Sequence, residues 1–490
     1  MEGPHRLSSM VRLDIRITGS DKRVLALPSI PGQPEALRAV FRRVEGLVQT
    51  DATRELGEVR RVFNRRHRNL AARMEESYLA ACLFLGIQPV HKDPYRSLLG
   101  AYFTMEYTLE AAALFNPSIV RHPDQDGVPS NGLRFVMSLR AVGEGHLSST
   151  VFREGMIGPD GGVTLDSATP RALRAKGTPD PRYLKGFFRR KLRELGMDMS
   201  KADRVLGHLG EWFTYDELVA ELAAARRGPH PSPEGVLEGV LALAHANYEL
   251  NLPSGSRISE LVMYPQSPYE ARGIEDLRMV RFTESDGSGA YYGTYTAYDG
   301  RRILPMLMQT GDFRTIKVRT LNGNCALGKG MALFPRRIRG RYTMCSRIDG
   351  QNLFLMYSDR VTFWETAELL TEPSAPWEYR LIGNCGSPIE TAEGWLMLTH
   401  GVGPMRQYAI GAILLDLDDP RKIRGRLKEP LLVPPESLRD GYVPNVVYTC
   451  GALLHSGRLY IPYAVADEIT VMARVDLDEL LARLLSDKAG

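Results

Sequence analysis

Between Gln33 and Gly86 apolar side chains recur at helical spacing, as at Val40, Val44, Leu47 and Val48, with few Gly and no Pro after Pro34. This period predicts helices. The same period returns from about Pro181 to Tyr248, through LGHLGEWFTYDELVAELAAARR and PEGVLEGVLALAHANYEL. Between these blocks, Ala112 to Val163 carries short β-rich runs (NPSIVRHPD, GLRFVMSLRAVG, SSTVFREGMI) separated by Gly, Pro, Asn and Asp, the pattern of a small antiparallel unit. From Arg272 the β texture continues until VDLDELLARLL predicts a closing helix.

Within that second half similar units recur. Their starts, Met279, Met331, Ser387 and Cys450, lie 52, 56 and 63 residues apart, and each reads as three strands joined by turns. The run from Ala112 to Met156 makes a fifth. Five units, each a small antiparallel sheet of roughly 40 to 60 residues, predict a mainly β fold, a five-bladed β-propeller with added helices. A β-sandwich is the structural alternative, since short, evenly spaced strands fit that too. The expected organisation is a largely helical segment over 1–111, a first blade over 112–170, a helical insertion over 171–255, and the remaining blades with a C-terminal helix over 256–490.

Charge and composition narrow the classes of function. Sixty-two Lys plus Arg against 58 Asp plus Glu leave +4 over 490 residues, no field suited to a nucleic acid. The Arg-rich run Val59 to Arg73 could touch phosphate or an acidic partner, but flanking acids favour a solvated helix face. Five widely spaced cysteines without a CxxC pair signal neither a zinc knuckle nor a disulfide framework, so a reducing cytoplasm is expected. Nothing before Leu25 reads as a secretory signal, and no apolar run reaches the roughly 18 residues of a membrane span, so no membrane partner is expected. The ten His form no ligand-spaced cluster, and neither GxGxxG nor GxxxxGK[ST] occurs, so no metal or nucleotide cofactor is expected.

Candidate chemistry gathers where a propeller would bring loops to a central funnel. In EARGIEDLRM, Glu275 and Asp276 are adjacent carboxylates on a strand, so strand alternation lets one of them face the funnel. A general acid for glycoside cleavage needs one such carboxyl, although an Asp–Arg pair before a strand also serves as a structural salt bridge. Arg140, Arg347 and His400 end hydrophobic strands, and Lys329 stands at a similar place. Each alone fits snorkelling or a surface ion pair, but together they would suit a dianion such as phosphate. Tyr291, Tyr292, Tyr295, Trp395, Tyr408, Tyr463 and Asp467 supply aromatic faces and a carboxylate for sugar rings, or else blade core.

These residues resemble glycoside hydrolase family 130, the β-mannoside phosphorylases and related β-mannosidases. The likeness runs through Asn116-Pro117, the strand ending at Arg140, Gly273-Ile274-Glu275-Asp276-Leu277-Arg278, Ala332-Leu333-Phe334-Pro335, Gly394-Trp395, Thr399-His400-Gly401-Val402, IGAILLDLDDP and GYVPNVVYTCG. It covers about 270 residues and leaves the helical segments outside. The resemblance implies a five-bladed propeller that transfers the mannosyl group of a β-mannoside to inorganic phosphate with inversion, giving α-mannose 1-phosphate. Asp276 would be the proton donor, relaying its proton through a mannose hydroxyl. Arg140, Lys329, Arg347 and His400 would hold phosphate as co-substrate. Glu275, Arg278, Tyr295, Asn384, Tyr408 and Asp467 stand as candidate substrate-binding residues. Leu277 replaces a usual Pro, Lys329-Gly330-Met331 a usual Lys-Asp-Ala, and the last blade reads IPYAVAD. A hydrolase would need a second carboxylate to activate water, so the basic set favours phosphorolysis. An inverting β-mannosidase and a non-catalytic carbohydrate-binding propeller are the competing readings. The helical additions could cap the funnel, limit chain length or build a homo-oligomer interface.

Overall fold

The computed structural model describes residues 7–228, 231–438 and 440–487, and is mainly β with two groups of helices. Five antiparallel units follow one another. The first contains Ala113–Arg121, Leu133–Val142, Ser148–Ile157 and Val163–Leu165. A pairing of Ser148 with Gly273 joins it to the second, Gly273–Thr283, Gly289–Tyr298, Ile303–Thr310 and Thr315–Thr320. The third is Lys329–Leu333, Tyr342–Arg347, Leu353–Ser358 and Thr366–Thr371, and the fourth Leu381–Asn384, Gly394–Val402, Tyr408–Leu415 and Ile423–Arg426. In the fifth, Val447–Tyr448, Arg458–Val465 and Ile469–Asp476 are completed by Val11–Ile17, whose Val11 pairs with Arg474.

The three strands per unit expected from the sequence are therefore four. The missed outer strands are the polar ones: Thr366–Thr371 (TAELLT) is largely exposed and has no continuous apolar face to reveal it. Apolar side chains of successive units meet in separate cores. Phe152 packs with Ile274 and Met279, Phe282 with Leu333 and Met344, Phe334 with Trp395, and Leu414 with Ile461. Another core joins Phe135 and Met137 of the first unit to Tyr460 and Met472 of the fifth.

The 1–111 segment is not purely helical. Besides Pro34–Glu45, Gln49–Phe63, Leu70–Leu85 and Tyr95–Tyr102, it holds Val11–Ile17 and a ribbon of Ser20–Pro28 with Thr104–Glu110. The Arg-rich run is broken rather than continuous, ending one helix at Phe63 and opening the next at Leu70, where the Asn69 side chain caps Ala72 N. Its arginines find acids: Arg61 with Glu58, Arg66 with Glu106 at 2.7 Å, Arg68 with Glu260 at 2.8 Å. The second helical group, Lys185–Glu194, Met199–Leu206, Tyr215–Arg227 and Glu234–His245, buries its own core around Leu192, Leu218 and Val240. Among the described residues no helix is long and apolar enough to cross a membrane.

Candidate active site

Strand alternation fails where it matters most. The pairing of Gly273–Thr283 with Gly289–Tyr298 slips between Glu275 and Arg278, and Asp276 in this bulge has φ +57°. The twist of the bulge brings both carboxylates to one cation, contrary to the opposite-face expectation. Arg140 Nη2 donates to Glu275 Oε1 at 2.8 Å, while Arg140 Nη1 lies 3.5 Å from Asp276 Oδ1. Lys329 Nζ reaches Glu275 Oε2 at 2.5 Å. Asn116, itself at φ +49°, donates its side-chain amide to Asp276 Oδ1 at 2.7 Å. Asp467 also stands in the left-handed region, at φ +51°. Non-glycine residues held in this region cost backbone strain, and such strain concentrates at functional sites.

Arg278 points into the same region but is bound from behind, Nη1 donating to the Asn384 carbonyl at 2.8 Å and Nη2 to the Tyr448 hydroxyl. Burial would push the Asp276 carboxyl up, but Arg140, Arg278, the Asn116 amide and Lys329 outweigh it and hold the group below its ordinary value. Asp467 behaves oppositely. Burial and the charge of Asp276 push it up to about 6, against the pull of Arg140 and Arg406. Two neighbouring carboxyls thus titrate in different pH ranges, one below and one above the ordinary value, an asymmetry typical of acid–base sites.

The other predicted cations pair with each other. Lys329 and Arg347 are cross-strand partners, and Arg347 Nη1 lies 3.1 Å from His400 Nε2. A guanidinium only donates, so Nε2 accepts and the ring proton sits on Nδ1, 3.8 Å from Cys385 Sγ. Burial, reinforced by Arg347 and Arg278, holds His400 well below its ordinary value, so it stays neutral. In this arrangement His400 orients Arg347 instead of adding a positive charge, a correction to its expected place among the phosphate-binding cations. Its ring is stacked on Tyr408 (6.1 Å, 7°) and edge-on to Tyr448. Gly383 is required here, because a Cβ would meet the ring at 2.5 Å.

The remaining candidates separate. Asn384 is fully buried, its amide on Gly386 O and its Oδ1 without a protein partner. Tyr295 borders a small cavity with Asp276 and Arg278, but its hydroxyl donates to the buried Glu270 at 2.7 Å, beside Tyr248 at 3.0 Å. Its expected role at a sugar hydroxyl is replaced by one in the core. Tyr291 bonds the Arg121 carbonyl, and Trp395 and Tyr463 are core residues. Arg140 Nε, Arg347 Nε, Asn116 Oδ1 and Asn384 Oδ1 are buried without a hydrogen bond to another protein group. Such polar atoms are uncommon, and two of these four belong to the side chains that hold Asp276.

Asn116 and Tyr448 were not among the candidate site residues. Asn116 carries a signal in Asn-Pro opening a strand, and Tyr448 in the GYVPNVVYTCG run, but their partners lie 160 and 170 positions away. Among the described residues no group of three His, Cys, Asp or Glu is placed to hold a metal.

A profile of glycoside hydrolase family 130, described as β-1,4-mannooligosaccharide phosphorylase, matches residues 254–485. A 1,2-β-oligomannan phosphorylase of Thermoanaerobacter sp. (strain X514) is 32% identical over 232 residues, covering 46% of this chain and 75% of that protein. A β-1,2-mannobiose phosphorylase of the same strain is 32% identical over 234 residues, with 46% and 74% covered. The solved β-1,2-mannobiose phosphorylase of Listeria innocua, in complex with β-1,2-mannobiose, aligns over 82% of this chain and 95% of its own at 19% identity and a TM-score of 0.45. The sequence match, together with the motif around Asp276, makes the chain a member of glycoside hydrolase family 130.

Proposed function

We propose that the protein cleaves β-mannosides by inverting phosphorolysis, with Asp276 as proton donor. The observation that carries this reading is one acid ringed by cations: Arg140, Arg278 and Lys329 all act on Asp276, and Arg347 follows Lys329 across the strand pair. The relatives named as mannoside phosphorylases support the same reaction. Phosphate is already an anionic nucleophile, so the site needs cations to hold it in line and no carboxylate base. One phosphate oxygen attacks C1 of the mannosyl group as the bond from C1 to the glycosidic oxygen breaks. The departing oxygen takes a proton from a mannose hydroxyl, which is refilled from Asp276, and α-mannose 1-phosphate results.

The low proton affinity of Asp276 without ligand fits this scheme. The cations that keep it ionised are those a phosphate dianion would offset, so nucleophile binding favours the protonated acid. Asn116 and Arg140 would orient Asp276, Arg347 and Lys329 bind phosphate, His400 position Arg347, and Glu275, Asn384, Tyr408 and Asp467 face the sugar.

In the same reading the five units are blades of one propeller, which places Asn116, Asp276, Lys329, His400 and Asp467, one from each unit, around a common axis. The cores between successive units, including the one joining fifth to first, support it.

The test is incubation with β-mannobioses, with and without phosphate, read by anomer-resolved NMR. Phosphorolysis requires α-mannose 1-phosphate that appears with phosphate and vanishes in Asp276→Asn. Release of mannose without phosphate would instead mark a hydrolase, with Asp467 the nearby carboxylate to examine as base. Sugar binding that persists without turnover in the unmodified protein would mark a binding module.

A further inference from the structure

A second cluster of cations lies where the N-terminal ribbon meets the first unit. Arg23 and Arg153 are only 2% and 6% exposed, yet they share one carboxylate, Glu110. Arg23 Nη1 donates to Glu110 Oε2 at 2.9 Å, and Arg153 Nη2 to Oε1 and Oε2 at 2.9 and 3.0 Å. Neighbouring acids are already committed: Glu260 to Arg68 at 2.8 Å, Glu154 to His122 at 3.4 Å, and Asp166 to Arg257 at 3.4 Å. Arg23 Nε is buried without a hydrogen bond. Burial, aided by the charge of Arg153, brings the Arg23 guanidinium down to about 10 despite Glu110.

Two buried guanidiniums on one carboxylate are costly to desolvate, and Glu260, the other acid acting on Arg23, is itself paired with Arg68. Here Arg23 and Arg153 line a cavity of about 310 Å³ together with Arg16 and Lys22. Those two are exposed, and neither forms an ion pair among the described residues. Four cations thus face one cavity against two carboxylates, Glu110 and Asp166.

We propose that this cavity is a second anion site, separate from Asp276, that takes a phosphate dianion either free or as the phosphoryl group of a sugar phosphate. Guanidinium forks match the oxygens of a tetrahedral dianion in pairs, which a halide would satisfy less well. Because Arg16 sits on Val11–Ile17, Arg23 on the ribbon and Arg153 in the first unit, an anion there would tie three separate segments together. Ligand bound to the folded state alone also stabilises it.

The experiment is calorimetric titration of the full chain with inorganic phosphate and, separately, glucose 6-phosphate. The proteins compared are the unmodified chain, Arg347→Ala, and Arg347→Ala with the surface pair Arg16→Glu/Lys22→Glu added. The proposal expects binding of at least one of the two ligands that survives Arg347→Ala and weakens at least tenfold when Arg16→Glu/Lys22→Glu is added to Arg347→Ala. Saturating ligand should raise the melting temperature of Arg347→Ala, and adding Arg16→Glu/Lys22→Glu to that variant should abolish the rise. Binding of phosphate but not of the sugar phosphate identifies free phosphate, and the reverse identifies the phosphoryl sugar. Binding that is lost in Arg347→Ala, or indifferent to the added Arg16→Glu/Lys22→Glu for both ligands, overturns it. A failure of mannoside phosphorolysis would sink the function proposed above and leave this outcome untouched.

Discussion

Replacing Asp467 by Asn should stabilise the protein above neutral pH and leave it nearly unchanged in acid. Asp467 is half-buried, near Asp276, and its carboxyl is raised from 3.8 to about 6. A carboxyl raised in the folded state binds its proton more tightly there than in the unfolded chain. Its stabilising contribution is therefore complete below about pH 4 and is lost as pH climbs through 6. The two-unit shift corresponds to about 3 kcal/mol of stability forfeited by the ionised side chain at pH 8, at about 1.4 kcal/mol per unit. Asn keeps the shape, carries no charge and tolerates the left-handed backbone at φ +51°. Urea unfolding followed by tryptophan fluorescence, run in steps from pH 8 to pH 4.5, should give a variant more stable by about 3 kcal/mol at the alkaline end, with the gap closing towards pH 4. A gap independent of pH, or a variant weaker at pH 8, would refute the burial and repulsion assigned to Asp467. Under the proposed function the same variant loses phosphorolysis, so stability and turnover move in opposite directions.

Asn116→Gly removes the donor to Asp276 while easing the φ of +49°, and the lost charged hydrogen bond of about 1.5–3 kcal/mol predicts kcat/KM lower by about 10- to 100-fold. Steady-state kinetics checks it, with an unchanged kcat/KM removing Asn116 from the site. His400→Leu deprives Arg347 Nη1 of its acceptor and should raise KM for phosphate about tenfold with little change in KM for mannoside, whereas His400→Gln should recover part of the loss. Because His400 is neutral, no inflection near pH 6.5 should disappear with it. Glu270→Ala strands the hydroxyls of Tyr248 and Tyr295 and the amides of Gln266 and Ser267 in the core, and urea unfolding should record a loss of at least about 3 kcal/mol.

What the sequence made legible follows the two periods a chain can write. The helical spacing of Val40, Val44 and Leu47 and the β texture after Arg272 both appear in the structure because burial on one face dictates them. Short, polar or edge elements do not write such a signal, which is why the fourth strands went unseen. Val11–Ile17 did carry one: VRLDIRI alternates apolar and charged residues over seven positions, too brief to stand out from a segment dominated by helices.

Within the site, Asp276, Arg140 and Lys329 could be named from motif and position, but their contacts could not. The bulge at Asp276 depends on backbone geometry that no residue type declares, and it reverses the alternation rule for Glu275. His400 shows the same limit: its charge and its direction of hydrogen bonding are set by Arg347 and Gly383, residues on other strands. Tyr295 looked like a sugar platform until Glu270, 25 positions earlier, claimed its hydroxyl.

Val11–Ile17 also fixes an order of events during synthesis. Its partners, Thr470 to Arg474, are translated long after it, and Ser8 and Ser9 hold Glu479 of the helix Leu477–Ser486. At about 5–20 residues per second the strand spends tens of seconds as an edge without a neighbour. During that wait Arg12, Asp14 and Arg16 stand at every second position, the placement of charge that discourages a bare strand from adding to a stranger. The fifth sheet is thus sealed by a strand made long before it, kept unattractive to other strands until its own partner emerges.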